Sequence, residues 1–398
     1  MASSMAPISK GGSPLTRLLR SFGLSVTLFL GCAPPAGVSP QADGWSEQQA
    51  NAWYDNQSWL VGSNYVPRSA VNQLEMWQEE TFDPAEIEQE LAWAEQLGMN
   101  TMRVFLHDLL WQQDSAGFRR RIDQFLVIAA RHRIRPMFVI FDSVWDPSPQ
   151  LGAQPPPIPG IHNSGWVQSP AATALADSAQ YPRLKAYVQG VLRAFANDQR
   201  VLAWDLWNEP DNENPNSYAK EELRDKVARV TALLPQVFEW ARAAYPTQPL
   251  TSGVWGIENN PDGANLSEIK RIQLRESDLI TFHNYGGAQS FQRQVAWLKK
   301  YNRPVICTEY MARPTGSTFA LLPMAKQERV GMYNWGFVVG KTQTHLPWDS
   351  WQRPYVREQP AVWFHEVLHP DGTPYLQAEA DLIRRLTGIG KLVRVGAN

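Results

Sequence analysis

Two glutamates stand where apolar runs give way to polar residues: Glu209 in "AWDLWNEPDN" and Glu309 in "RPVICTEY". Two carboxylates facing each other across a cleft can cleave a glycosidic bond. One must stay protonated to donate to the leaving oxygen, and the other must be ionised to attack the anomeric carbon. Mutual repulsion and local hydrogen bonds can split two such carboxyls in this way. Around them lie other residues able to bind or orient: Arg103, His107, Asp142, Asn208, His283, Tyr285 and Trp335.

These residues are scattered over more than 230 positions, from 103 to 335, so a fold must bring them together. Short apolar runs alternate with amphipathic stretches. The runs are 59–66, 99–106, 134–142, 201–207, 249–255, 278–285, 303–310 and 331–339. Between them come helical patterns. In "FDPAEIEQELAWAEQLG", Asp83 can cap, Pro84 suits the first turn, and Ile87, Leu91, Ala94 and Leu97 keep helical spacing. Leu184, Tyr187, Val188, Val191, Leu192 and Phe195 mark another helix, and a long one is expected from Tyr218 to Ala244. Eight strands alternating with helices predict an α/β fold, a single (β/α)8 TIM barrel. A doubly wound sheet is disfavoured by the regular units and by the lack of a Gly-rich dinucleotide turn. In such barrels the site lies at the C-terminal ends of the strands. Arg103, Asp142, Asn208, Glu209, His283, Tyr285, Glu309 and Trp335 all fall at that end. Pro210 is expected to bias Glu209 to an extended conformation that aims its carboxylate into the mouth.

"WNEP", "FHNY" and "TEY", each at the end of its strand, resemble clan A glycoside hydrolases, especially family five, the cellulase and mannanase family, with features of family two barrels. The resemblance covers nearly all of the chain after residue 58. It implies retention through a covalent glycosyl–enzyme intermediate, with Glu209 as acid/base and Glu309 as nucleophile. It implies that Asn208 holds the sugar 2-hydroxyl, that Tyr285 hydrogen-bonds the nucleophile, and that His283 lines the same subsite. Arg103 would keep Glu309 ionised, and Trp335 would stack on the sugar. The chain departs from the family where a His usually ends strand three: "FVIFDSVWD" puts Asp142 or Trp145 there. Each signal alone has a plainer reading, such as Glu309 as a structural partner of Arg103 or His283 as a core histidine. Their joint placement, in order and at the correct ends, carries the glycosidase reading.

The chain holds 17 Trp. Trp111, Trp145, Trp166, Trp255, Trp335 and Trp348 fall in loops or strand ends where a mouth would be, and aromatic faces stack on sugar rings. Of these, Trp111, Trp145, Trp335 and Trp348, with Asp142, are the expected substrate-binding residues. The Pro-rich stretch 146–166 reads as a stiff wall of the cleft. A rival motif, "HEVLHPDG" (365–372), resembles a zinc protease helix, with His365 and His369 as ligands and Glu366 as base. Pro370 ends such a helix too early, and the segment is expected on the outer helical layer with its histidines at a helix end. No metal and no organic cofactor are expected.

Lys10, Arg17 and Arg20 precede the apolar run Leu24–Leu30, and Gly31-Cys32 follow. This reads as a secretory signal (1–31), too short to span a bilayer. "LFLGC" resembles a lipoprotein signal in which Cys32 is lipidated, although Leu30 stands where a small residue is usual. A linker (32–52) and the catalytic barrel (53–398) are expected to follow, in an exported protein of the cell envelope or medium. With Cys32 lipidated, only Cys307 remains, so the fold would rest on its core. Lys and Arg total 37 against 39 Asp and Glu, a net charge of −2 that offers no basic footprint for nucleic acid. The expected partner is an oligo- or polysaccharide, a β-linked glucan, mannan or xylan. Nothing demands more than a monomer, and the sole expected membrane contact is the lipid anchor. A transglycosylase using the same carboxylates, or a non-catalytic carbohydrate-binding lipoprotein, remain the other readings.

Overall fold

A computed structural model describes residues 44–257 and 263–389. The expected signal and Cys32 lie outside them. Eight parallel strands form one sheet in the order β5-β4-β3-β2-β1-β8-β7-β6. They are β1 (Val61–Tyr65), β2 (Thr101–Phe105), β3 (Arg135–Asp142), β4 (Ala203–Asn208), β5 (Leu250–Thr251), β6 (Ile280–His283), β7 (Val305–Tyr310) and β8 (Gly331–Asn334). Pairing of β1 with β8 closes one seam. The other seam, between β5 and β6, is joined at Val254, which takes 3.0 Å bonds with Thr281 and His283. The (β/α)8 barrel is therefore the architecture of the chain.

The helices are α1 (Glu47–Asp55), α2 (Gln73–Trp77), α3 (Pro84–Leu97), α4 (Asp108–Arg131), α5 (Ala172–Ala176), α6 (Tyr181–Ala194), α7 (Lys226–Arg242), α8 (Glu268–Glu276), α9 (Ala288–Leu298), α10 (Leu322–Gln327) and α11 (Gln377–Thr387). Helix α3 forms as its sequence dictates. The Asp83 carboxylate accepts from the Ala85 and Glu86 amides, Pro84 opens the first turn, and Gly98 ends the helix at φ +80°. Its residues Ile87, Leu91, Ala94 and Leu97 are all buried against the barrel. Helix α4 is broken at Asp114, whose side chain caps Gly117 and restarts the coil.

The expected linker ends sooner than residue 52. Glu47–Asp55 is a helix capped by Ser46. Trp45, Ala50 and Tyr54 pack with Leu60, Leu202 and Leu279, the residues that enter β1, β4 and β6. Helix α1 thus plugs the base of the barrel and leaves the opposite end open. Helix α7 starts at Lys226, eight positions after the expected Tyr218. Residues 218–225 are turns because Glu222 and Lys226 turn inward to a buried network described below. No helix among the described residues is long and apolar enough to cross a membrane.

Candidate active site

Arg103 is the hub of the open end. It is fully buried on β2. Its Nε and Nη2 donate to Asp205 Oδ2 at 3.0 and 2.8 Å. Nη1 donates to Asn64 Oδ1 at 2.8 Å and Glu309 Oε1 at 2.9 Å, and Nη2 also reaches Asn208 Oδ1 at 2.6 Å. One rigid fork thus joins side chains from β1, β4 and β7, a task that a lysine's single ammonium could not perform.

The Glu309 carboxylate is held from two sides, because Tyr285 donates its hydroxyl to Oε2 at 2.8 Å. Burial nevertheless pushes the Glu309 carboxyl above the usual range. His283, where it carries a proton, and Arg103 pull it down, and Glu209 pushes it up. Arg103, paired with Glu309 at 2.9 Å, opposes the effect of burial.

Glu209 faces Glu309 through His283. The His283 Nδ1 lies 2.8 Å from Glu209 Oε1 and 3.5 Å from Glu309 Oε2. Oxygens of the two glutamates and this nitrogen all lie within 4.8 Å of one another. Burial lowers the His283 imidazolium to about 4, outweighing Glu309, so the ring is neutral near pH 7. Asn212 donates to Glu209 Oε2 at 2.7 Å. Glu209 itself is not extended. Its φ is +41°, in the left-handed region, so the effect expected of Pro210 does not govern this residue. The backbone turns sharply where β4 ends, and the turn rather than an extended strand delivers the carboxylate.

The same trio is the one place among the described residues where three potential metal ligands converge. Both Glu309 oxygens already accept strong bonds, one of them from a guanidinium, and a metal cation there would meet that positive charge.

Asn208 is oriented from behind. Its Oδ1 takes the bond from Arg103, and its Nδ2 donates to Asp142 Oδ1 at 2.9 Å. Asp142, expected to bind substrate, is buried and does not line the cleft. Its Oδ2 accepts from Trp166 Nε1 at 2.6 Å. Burial lifts the Asp142 carboxyl to about 7, against the bonds from Asn208, Trp166 and the Val144 amide. Its place is to fix Asn208.

The cleft above the two glutamates has a volume of about 270 Å³. Trp145, Trp255, Trp335, Trp348 and Trp351 line it. Trp145 lies on the ring of Trp351 with centroids 5.4 Å apart, and Trp348 meets Tyr285 edge-on at 4.9 Å. Trp335 is braced edge-on by Phe105 and Trp166. Trp111 is misplaced by the sequence reading. It falls in the first turn of α4 and packs over Gly190 of α6, away from the cleft. The Pro-rich loop does form a wall. Asn163 donates its amide to Thr342 O at 2.7 Å and His162 donates its amide to Ser350 Oγ at 2.9 Å, so this loop docks on the one after β8.

Sequence reasoning missed Asp205, Asn64, Asn212 and Trp351. Asp205 carried the clearest signal, a lone acid inside the apolar run "AWDLW". A buried network below Trp145 also went unread. Lys226 Nζ bonds Glu222 Oε2, Ser143 O and Asn212 O, and Asn214 holds the Trp145 amide at 3.0 Å. The "HEVLHPDG" segment forms no helix and does not join the outer layer. His365 is buried beside Tyr285 and Trp348, its Nδ1 bonded to Met311 O.

A family model described as cellulase (glycosyl hydrolase family 5) matches residues 158–354. No match was found among curated protein sequences. Among solved structures, an exo-β-1,4-mannosidase from Opitutaceae bacterium strain TAV5 superposes with a TM-score of 0.54 at 19% identity, over 83% of this chain and 60% of that one. This chain therefore spans less than two thirds of that mannosidase. An endo-β-1,4-mannanase from Thermotoga petrophila gives a TM-score of 0.51 at 14% identity, over 84% of this chain and 78% of that one. A β-glucosidase designated 1317 gives 0.55 at 12%, over 83% and 98%. The match makes residues 158–354 a segment of the family 5 glycosyl hydrolase type, and the whole described chain shares the barrel fold of these glycosidases.

Proposed function

We propose that the protein hydrolyses β-glycosidic bonds with retention, using Glu309 as nucleophile and Glu209 as acid/base. One observation carries this reading: oxygens of Glu209 and Glu309 lie within 4.8 Å of each other in a tryptophan-lined cleft, while Arg103 and Tyr285 bond Glu309. Oxygens this close suit direct attack on the sugar, whereas an inverting pair stands farther apart to leave room for a water. Glu309 attacks the anomeric carbon as Glu209 gives its proton to the leaving oxygen. Glu209 then takes a proton from water, which attacks the glycosyl ester and frees Glu309. Neutral His283 bridges the pair and holds Glu209 in line, and Asn208, which lines the cleft, bonds the 2-hydroxyl in this reading.

The substrate is a neutral β-linked glycan of the glucan, mannan or xylan type, in keeping with the mannosidase, mannanase and β-glucosidase named above. The test is kinetic. Glu309→Ala should abolish turnover of aryl β-glycosides, and Glu209→Ala should slow those with poor leaving groups most. Full activity in both variants would sink the assignment. Export with Cys32 lipidation belongs to the same reading, and loss of fatty-acid labelling in Cys32→Ala would support it.

A further inference from the structure

Beside the main cleft, and sharing Trp335 and Asn163 with it, lies a second cavity of about 20 Å³. That is space for about one water molecule or one hydroxyl group. Asn163 and Glu366 line it, and both are at most 1% exposed. Neither Oδ1 nor Nδ2 of the Asn163 side chain has a hydrogen-bond partner among the described residues, and neither does Glu366 Oε2. Buried polar groups are nearly always paired, so three unmatched atoms in one small cavity point to a polar guest.

The protein holds both residues there against their backbone preference. Asn163 has φ +50° and Glu366 φ +58°. Asn tolerates that region; Glu rarely enters it. Gly336, itself at φ +78°, completes the arrangement, since a Cβ there would come within 3.0 Å of the Glu366 carboxyl. Glycine directly after Trp335 is what lets this carboxyl sit against the platform. Thr344 bonds Glu366 Oε1, and Arg313 bonds its carbonyl at 2.7 Å, so the acid is fixed from two sides.

The cavity's place in the ring of strands says which end of a sugar it meets. Its walls come from β1, from the end of β2 and from the segment after β8, with Asn163 and Trp166 of the Pro-rich loop after β3 folded over them. In the strand order this arc lies opposite β4 to β6. The acid Glu209 stands on β4, so the leaving group lies on that side and the glycone reaches toward the cavity.

Resting on the retaining-glycosidase reading of the main cleft, we propose that Asn163 and Glu366 are specificity determinants that hydrogen-bond a hydroxyl at the far end of the glycone, so that the enzyme removes single terminal sugars from β-linked oligosaccharides. The hydroxyl donates to Glu366 Oε2 and accepts from Asn163 Nδ2. The cavity admits a hydroxyl group but no second ring, so a chain cannot continue past Trp335 in this direction.

The experiment uses aryl β-glycosides, each lacking one hydroxyl at C3, C4 or C6, with Glu366→Gln and Asn163→Asp. The second variant keeps a side chain that tolerates left-handed backbone. On the complete sugar each variant should lose about 10- to 100-fold in kcat/KM. Loss of one particular hydroxyl should cost the wild type a comparable factor and cost the variants little more. Melting curves confirm folding. A reducing-end-labelled pentasaccharide should release labelled tetrasaccharide first, and a methyl ether at its non-reducing terminus should block cleavage. Equal hydroxyl discrimination in wild type and variants, or interior cleavage of the capped chain, overturns the proposal while leaving the glycosidase reading intact. An inactive wild type on every glycoside overturns both.

Discussion

Arg103→Met removes a buried cation that two carboxylates share, and its effect can be worked out from the structure. Asp205 and Glu309 both accept from the guanidinium, and all three groups are buried. Leaving two buried acids without their cation should cost about 3–5 kcal/mol of stability. The kinetic effect is more specific. Charge centres about 4 Å apart attract by about 4 kcal/mol at an effective dielectric of 20. At 1.4 kcal/mol per decade, Arg103 favours ionised Glu309 by up to about three orders of magnitude. Burial already lifts the Glu309 carboxyl, so losing Arg103 lifts it further. A nucleophile must be ionised, so the acid limb of kcat/KM should move to higher pH. At pH 6 the loss should be on the order of 10²-fold or more, shrinking at pH 9. Asp205→Asn is the counter-experiment. It removes a competing negative charge and should move the acid limb to lower pH. Opposite displacements cannot come from a damaged fold, which lowers the whole profile. The assay is kcat/KM from pH 4 to 10 on an activated aryl β-glycoside, with melting checked at each pH. Displacement of both limbs in the same direction, or of neither, would refute the electrostatic account.

Three further outcomes follow from the same geometry. Trp166→Phe deletes the shorter of two donors to Asp142 Oδ2, leaving Gln73 at 3.4 Å, and so loosens the clamp on Asn208; kcat should fall by about tenfold and stability by about 1–3 kcal/mol, and unchanged kinetics would mean that Asn208 needs no support from Trp166. Lys226→Met leaves Glu222 buried without its cation, so unfolding free energy in urea should fall by about 3–5 kcal/mol, whereas a loss under 1 kcal/mol would show the network to be slack. Asp142, Glu366 and Glu90 are lifted by burial to about 7, above their unfolded values. Their contribution to stability is therefore complete below about pH 4 and is lost as pH rises through 7; the protein should melt higher at pH 5 than at pH 8, with Glu366→Gln flattening that slope and raising stability at pH 8.

How far the site could be read in the sequence depended on whether local pattern or distant contact set each residue's place. The strands and helix α3 follow from apolar spacing and capping, and the order of strands then puts Arg103, Asn208, His283, Tyr285 and Glu309 at one mouth. Strand β5 keeps only Leu250 and Thr251 of its apolar run, and at Gly253 a Cβ would come 3.2 Å from Thr281 Oγ1 and 3.3 Å from Thr308 Oγ1. Trp111 went astray because α4 begins at once after β2, so a residue that looked like loop is helix. Asp142 was read as reaching substrate because position alone does not tell which way a strand-end side chain turns. Trp166, some 24 residues on, decides it. The "HEVLHPDG" segment shows the same limit, since docking against the Pro-rich loop and Arg313, not its own periodicity, fixes its path.

The left-handed backbone of the described residues separates into two populations with different causes. Arg133, Tyr245, Asn302 and Arg329 follow helix ends at the base of the barrel, where such residues commonly close a helix. Trp145, Asn163, Glu209, Asn214, Met311, Gln343 and Glu366 instead stand in the loops of the open end, Gln343 bonding Gly160 and Ile161 of the Pro-rich loop. Tryptophan and glutamate are poor choices for that conformation, and each instance is disfavoured by about 1–3 kcal/mol. The barrel tolerates this because its framework over-determines the loops. Asn214 fixes the Trp145 amide, Arg313 fixes Glu366, and Asn212 accompanies Glu209. Strain and support meet at the residues assigned to catalysis and glycone recognition. Substitutions that relax a mouth residue, such as Glu366→Gly, should therefore stabilise the fold while lowering kcat/KM, whereas the same change at Tyr245 should leave kcat/KM untouched. Melting and kinetics measured on both variants distinguish the two populations, and a kcat/KM for Glu366→Gly no lower than that of Glu366→Gln, which loses the same carboxylate, would show that the mouth's backbone geometry has no part in function.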